Sequence, residues 1–404
     1  MEAVIKKVNK VYSKQNPSQY LTDLRQVDKF VKNRMDLLHE LKLPKKIFKN
    51  SKLIDYGSGT GLNTLVYGVL GANCTLIEFD KRSYKYSKKI FKKFSTNKFK
   101  IINKDIFNHK TKIKYDFVVS NGVAHHTKNP ILNLKICIKS LKQGGFFILG
   151  IGEKSGFFQR NLQRYILYSL CKNEKEIADY SKFLFKDHLK KAAKYSGRTV
   201  QEVIADTYLN PKINTVGLKE ILDFFSTNNL ELYSFYGRMK TLNQFFESRI
   251  DQFRHKKNEK KLKKNEFSSM NLNLHDIENF SLSNNYYKKS FNSTYKKINE
   301  LNKNLDKLTN SINDLELGKK LKGLHINEIN SIDKKIKKIN NIELINKKHQ
   351  SNFLKELKAI CKILKTNMNQ RSKASKIKKY LSACKVLLKG VNGTGMNYIV
   401  GYKK

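Results

Sequence analysis

Tryptophan is absent from the 404 residues, proline occurs four times, and acids are scarce, with 34 Asp+Glu against 81 Lys+Arg. The five cysteines stand singly at 74, 137, 171, 361 and 384. No C-x-x-C pair is present, so neither a zinc ribbon nor a disulfide framework is expected, no metal site is expected, and a reduced cytoplasm is the simplest setting. No apolar run approaches the ~20 residues of a membrane span. The N-terminus lacks the apolar core of a signal peptide. The missing acids leave a net charge of +47, which invites a nucleic-acid reading. That charge, however, is spread over both halves of the chain. Abundant Lys, Asn and Ile beside absent Trp and rare Pro suit an AT-rich coding bias. Two readings stay open: a solvated surface shaped by composition, or contact with RNA or another anionic surface.

What the chain does have is organised around Leu53-Ile54-Asp55-Tyr56-Gly57-Ser58-Gly59-Thr60-Gly61. This reads as a buried strand, a glycine turn and a helix beginning near Leu62. The glycines accept positive φ and let the backbone approach a ligand, and the free N–H groups of the helix start would face it. A G-x-G-x-G turn alone also fits a plain βα connection. Three more strands with polar tips follow. Asn73 to Asp80 carries Glu78, Phe99 to Ile102 leads to Asp105, and Tyr115 to Gly122 ends in Asn121. Apolar strands separated by helix-length segments imply a parallel sheet, and such sheets bind ligands beyond the carboxyl ends of their strands. Asp55, Glu78, Asp105 and Asn121 all fall there.

In these stretches the chain resembles the class I S-adenosylmethionine-dependent methyltransferases. The resemblance lies in LIDYGSGTG, the acid in TLIEFD, the acid in NKDIF and YDFVVSNGVAHHTKNP, with Gly144-Gly145 before a strand from Phe146 to Ile151. A dinucleotide fingerprint would place its third glycine one residue later. The resemblance implies an α/β fold: a seven-stranded Rossmann-like sheet with helices on both faces. It implies S-adenosyl-L-methionine as cofactor. Asp55 and the backbone of Gly57, Ser58, Gly59, Thr60 and Gly61 would hold the methionine part, Glu78 the ribose, and Asp105 with Ile106 the adenine edge. Asn121 and Gly122 would line the wall near the methyl group. Asp80 is a second ribose candidate or a cap for the helix after it.

His125 and His126 follow the fourth strand, where this family approaches its substrate. Either is a candidate general base, and a structural histidine bonded to a neighbouring loop is the plain alternative. The Asn-Pro-Pro-aromatic signature of amino-nitrogen methylation in DNA and glutamine is absent. Methyl transfer needs little beyond alignment and water exclusion, so the lack of an obvious catalytic set does not argue against an enzyme.

Around that core, residues 1–50 read as a helical lead-in, either an edge helix or a lid over the cofactor. Residues 51–152 form the cofactor-binding core and 153–212 a helical insertion. In it, Gly156 to Tyr165 either lines a pocket or packs as an amphipathic helix. Asp206, Tyr208 and Asn210 are candidates for the substrate side, and 213–239 supply a last helix and a sixth strand, Glu231 to Tyr236. Residues 240–390 read as a helical excursion. Ile298 to Leu315 and Ile329 to Ile339 suggest a hairpin, with a dimeric coiled coil as rival. Residues 391–404 would bring a seventh strand, 395–402, back to the sheet antiparallel beside the sixth. A separate C-terminal helical module is the alternative. The expectation is a cytoplasmic methyltransferase, monomeric or dimeric through its helical region, acting on a small-molecule acceptor. An RNA-binding or RNA-modifying protein, or a helical scaffold with a vestigial core, stays open.

Overall fold

The computed structural model describes residues 20–236 apart from 22, 96, 128, 153, 211 and 212; residues 347–388 apart from 386; residues 396–404; and single positions at 307, 327, 329–331 and 334. The expected hairpin over 298–339 lies outside the described residues except for those few positions.

One seven-stranded sheet runs in the order β3-β2-β1-β4-β5-β7-β6. Its strands are β1 Lys52–Tyr56, β2 Asn73–Glu78, β3 Phe99–Asn103, β4 Tyr115–Asn121, β5 Leu141–Gly152, β6 Leu230–Tyr236 and β7 Met396–Lys403. β1 to β5 pair in parallel. β7 inserts antiparallel between β5 and β6. The chain thus returns after a long excursion to complete the sheet. β5 starts earlier than the sequence suggests. Leu141 already pairs with Tyr115, and an irregularity lets the register resume at Phe117↔Phe146. Gly145 is needed there, because a Cβ would stand 2.8 Å from the Asp116 carbonyl.

The apolar spacing predicted for the lead-in forms α1, Leu24–Glu40, which buries Val27, Val31 and Leu38. Asp23 caps it by accepting from Arg25 N–H. With α2 Leu62–Val69 and α3 Lys81–Phe94, α1 shares a core with Leu53, Leu76, Val119, Ile148 and Val400. It therefore lies on a face of the sheet. Asp80 caps α3, accepting from Ser83 N–H at 2.8 Å. The opposite face is covered by α4 Pro130–Ile138 and α9 Leu218–Thr227, whose apolar sides meet Ile54, Val118, Phe147 and Ile399.

A third core belongs to the helices. Beyond β5 come α5 Lys154–Leu170, α6 Glu174–Leu184, α7 Lys186–Ser196 and α8 Val200–Ile204, then a π-helical turn, Ala205–Leu209. From the far side of the excursion come α10 Lys347–Lys365 and α11 Gln370–Ala383. Leu162, Ile166, Ile177, Leu189 and Val203 from the first group pack with Phe353, Leu357, Ile360 and Ile377 from the second. Two stretches far apart in sequence thus form one helical layer beside the carboxyl end of β5. All five cysteines are buried and none forms a disulfide. Among the described residues, no helix is long and apolar enough to cross a membrane, and no group of His, Cys, Asp and Glu could hold a metal ion.

Candidate active site

Beyond β1 the backbone turns through Gly57 (φ +78), Gly59 (φ +55) and Gly61 (φ +75), all in the left-handed region. Side chains rarely take that conformation. Gly57 and Ser58 donate their N–H groups to the Ile77 carbonyl at 2.8 and 3.1 Å, which stitches the loop to β2. Gly57 also has no room for a side chain, since a Cβ would stand 2.6 Å from Val123 Cγ2 and 3.3 Å from Ile106 Cδ1.

Glu78, at the end of β2, reaches back to this loop. Its Oε2 accepts from Gly59 N–H at 2.7 Å and its Oε1 from Asp80 N–H at 2.8 Å. The carboxylate is 5% exposed. Burial pushes its pKa up to about 7, against the lowering effect of those two N–H bonds. Each oxygen keeps acceptor capacity for one further donor. Asp55 is buried and its Oδ2 accepts from the Thr64 hydroxyl, while burial raises its pKa to about 7. Asp55 Oδ1, Ser58 Oγ and Asn63 Oδ1 are buried with no hydrogen-bond partner.

Asp105 accepts from Phe107 N–H at 2.7 Å and caps a short turn that presents buried Ile106 towards Gly57. Lys104 N–H and the Asn103 amide bond the Glu78 carbonyl, so the ends of β2 and β3 are held together. Asn121 ends β4, half-buried, and Gly122 donates to the Gly150 carbonyl at 2.8 Å. This set suits a nucleoside carrying an amino-acid tail. It has an acid for paired hydroxyls, an apolar wall from Ile106 and Val123, and buried polar atoms that lack partners.

The two histidines differ in their surroundings. His125 is 2% exposed, and its Nδ1 accepts from Gly152 N–H at 3.1 Å. Burial holds its pKa well below the usual value, so it is a neutral ring that pins the loop after β4 to the end of β5. Its ring lies 4.2 Å from that of His126 and 5.1 Å from that of Phe157. His126 meets the helical insertion. The Asn210 amide lies 2.9 Å from its Nδ1, and Asp206 Oδ1 is 3.8 Å from its Nε2. The Asn210 nitrogen can only donate, so Nδ1 accepts and the Nε2 proton faces the aspartate. Asp206 also takes Arg198 at 3.1 Å. Burial raises the pKa of Asp206, but Arg198, His126 and Arg160 outweigh it and bring it to about 2. Asn214 ties the insertion to the same loop, its N–H donating to the His125 carbonyl and its amide to that of Thr127, both at 2.7 Å.

The structure therefore brings His126, Asp206 and Asn210 together. Tyr208 faces elsewhere. It is fully buried and donates to Gln163 Oε1 at 2.9 Å, with its ring near Phe185. Asp206 and Tyr208 sit on the π-helical turn, a rare geometry that often marks functional sites. Sequence reasoning held Arg160 and Arg164 only within the Gly156 to Tyr165 stretch, with no role assigned, and missed His188 and Arg198. The first two lie four residues apart in α5 among Leu162, Ile166 and Leu167, and all five are buried. Charges at helical spacing on an apolar helix were the available signal. Nothing local marks His188 or Arg198.

No curated protein matches the chain. Among solved structures, a S-adenosylmethionine dependent methyltransferase candidate from Listeria monocytogenes is 24% identical, with TM-score 0.26, over 29% of this chain and 55% of its own. PKMT2 from Rickettsia typhi in complex with AdoHcy is 16% identical, with TM-score 0.39, over 53% of this chain and 48% of its own. Magnesium protoporphyrin IX methyltransferase from Synechocystis is 12% identical, with TM-score 0.33, over 57% of this chain and 85% of its own. The chain thus spans about half the length of the first two. Residues 25–202 match the family described as a methyltransferase domain. That stretch runs from α1 through the glycine loop and all five parallel strands, so the part of the chain that is similar to a methyltransferase domain is the part that carries the candidate site.

Proposed function

We propose that this protein transfers a methyl group from S-adenosyl-L-methionine to a small-molecule acceptor. The observation that carries the reading is the Glu78 carboxylate. It is held at the end of β2 by Gly59 N–H and Asp80 N–H and retains acceptor capacity on both oxygens. In this reading Glu78 takes the ribose hydroxyls. Ile106 and Asp105 bound the adenine. Asp55, Ser58 and the loop from Gly57 to Gly61 receive the methionine part, and Asn121 lines the methyl end.

The bound cofactor supplies an already activated methyl group, so the protein's own work is alignment, water exclusion and removal of one proton. His126 is the group proposed for that proton. Asp206 fixes the tautomer through Nε2 and stabilises the imidazolium formed when Nδ1 takes the proton. The Asn210 amide now bonded to Nδ1 marks where the acceptor's O–H or N–H would stand. His125, neutral and pinned to Gly152, positions its neighbour. Tyr208 supports the substrate side by fixing α5 through Gln163.

Calorimetric titration of S-adenosylmethionine and S-adenosylhomocysteine into the wild type and Glu78→Ala tests the cofactor assignment. Micromolar binding by the wild type, weakened at least about tenfold in the variant, is expected from the loss of hydrogen bonds to a charged acceptor. A folded wild type that binds neither ligand would sink the reading.

A further inference from the structure

Three buried polar atoms around Asp206 have no hydrogen-bond partner: Arg160 Nε, His188 Nε2 and Thr207 Oγ1. Asp206 acts electrostatically on Arg160, Arg160 acts on His188, and Thr207 follows Asp206 on the π-helical turn. Arg160 is 7% exposed and Thr207 1%. Buried polar atoms in folded proteins are nearly always paired, so three unpaired ones within one helical insertion indicate a missing partner. The chemistry of that partner follows from the groups present. The Arg160 Nε–H can only donate, a hydroxyl can donate, and His188 is neutral because burial and the nearby Arg160 and Lys191 lower its pKa to about 4. Each of the three can donate to an oxygen acceptor.

The local charge agrees. Arg160, Arg164 and Arg198 bring three guanidinium groups into this region. Arg164 is engaged by the carbonyls of Thr207, Tyr208 and Asn210, the last at 2.7 Å. Arg198 is paired with Asp206. Arg160 is not within ion-pair distance of any acid among the described residues. It lies over the Phe157 ring, 5.1 Å from its centroid, and that ring touches His125. The Asp206 carboxylate acts on it only from beyond ion-pair distance, and a buried guanidinium without a direct ion pair is costly.

We propose that Arg160, His188 and Thr207 form a subsite for an anionic oxygen group, a carboxylate or phosphate, carried by the methyl acceptor. The proposal rests on the methyltransferase reading and narrows it to anionic acceptors. Ring contacts at centroid spacings of 5.1, 5.1 and 4.2 Å link Arg160 through Phe157 and His125 to His126, the proposed base. An acceptor held by its anion at Arg160 would present its nucleophile towards His126 Nδ1.

The test uses the full-length protein saturated with S-adenosylhomocysteine. Inorganic phosphate and, separately, acetate replace chloride at constant ionic strength while melting and calorimetric binding are followed. Saturable binding of one or both anions is expected, with phosphate and acetate preferences telling the two headgroup chemistries apart. Arg160→Lys and the near-isosteric Thr207→Val should each weaken it by about tenfold, the loss of a hydrogen bond to a charged acceptor. Two further results would overturn the proposal: no saturable anion binding by wild type that binds S-adenosylhomocysteine, or equal binding in both variants. It is also overturned if both variants weaken S-adenosylhomocysteine but leave 5′-methylthioadenosine unaffected, because the anion would then be the cofactor's own carboxylate. Failure of wild type to bind S-adenosylhomocysteine defeats the methyltransferase reading itself and the acceptor assignment with it.

Discussion

His126 Nε2 stands 3.8 Å from Asp206 Oδ1, and the second oxygen of that aspartate takes Arg198 at 3.1 Å. The loop after β4 and the π-helical turn of the insertion are thereby joined by one buried carboxylate. Asp206→Asn removes the carboxylate that pairs with Arg198, in a site where Arg198 and Asp206 are 14% and 16% exposed. The variant should lose about 3 kcal/mol of stability, the usual result of breaking a buried pair by one partner. Its affinity for S-adenosylhomocysteine should stay within about twofold if the aspartate lies on the acceptor side, as proposed. Urea unfolding and calorimetry on the same preparation measure both.

The same aspartate sets an acid limit. Its folded pKa, about 2, lies below the ordinary 3.8. A lowered carboxylate pKa contributes stability above the unfolded value, and that contribution disappears as pH falls through the folded one. Between pH 4 and pH 2 the wild type should lose about 2 kcal/mol that Asp206→Asn does not lose. Parallel slopes for the two proteins in acid unfolding would contradict this.

Glu78 titrates with the opposite sign. Burial raises its pKa from 4.5 to about 7. The relative stability it lends is full below pH 4.5 and is lost as pH rises through about 7, because the ionised form must be kept out of water. Glu78→Gln should therefore flatten the stability profile of the ligand-free protein across pH 5 to 8, by up to about 3 kcal/mol. Cofactor binding should run the other way. Ribose hydroxyls donate best to the ionised acid, so S-adenosylhomocysteine should bind about tenfold more tightly at pH 8 than at pH 6. In Glu78→Gln the affinity should be lower and independent of pH.

The sequence told more of the sheet than of the site, and the reason is physical. Strands β1 to β4 are written locally, as apolar runs ending in a polar residue, and residues 395–402 read as a strand without any knowledge of their neighbours. The cap at Asp80 is likewise a short-range signal. The meeting of His126 with Asp206 and Arg198 depends on how the insertion folds back over β5, which no local pattern encodes. Arg160 shows the limit most clearly. The stretch Gly156 to Tyr165 reads equally as a pocket lining or an amphipathic helix, and the burial of Arg160 beside Phe157 and Asp206 appears only when the insertion folds. Glu78 was visible as an acid at a strand tip, but its bond to Gly59 N–H follows only from the parallel pairing of β1 with β2.

Gly57 is required on two counts that can be separated. Its φ of +78 penalises any side chain, and a Cβ would also collide with Val123 at 2.6 Å. Gly57→Ala should cost about 2 kcal/mol, roughly half from the backbone and the rest from the clash. Adding Val123→Ala should recover the steric part alone. A double variant no more stable than Gly57→Ala would assign the whole cost to the backbone, and full recovery would assign it to the contact.

The returning strand offers the last test. Gly401 lies in β7 between Phe147 on β5 and Leu232 on β6. A Cβ at this position would stand 2.8 Å from Phe225 Cε2 and 3.1 Å from its Cζ. Phe225 is 2% exposed and belongs to α9, so its ring cannot swing into solvent without opening the core it shares with Phe147 and Ile399. Because φ at Gly401 is not in the left-handed region, the cost of a side chain there is purely steric. Gly401→Ala should therefore destabilise the protein by about 1–3 kcal/mol. Phe225→Leu alone loses ring volume and should also be destabilising. Together the two changes exchange volume across one contact, so the double variant should be more stable than the sum of the single effects predicts, by about 1 kcal/mol. Strict additivity in urea unfolding would mean that β7 does not hold its register against α9, and the antiparallel closure of the sheet would have to be redrawn.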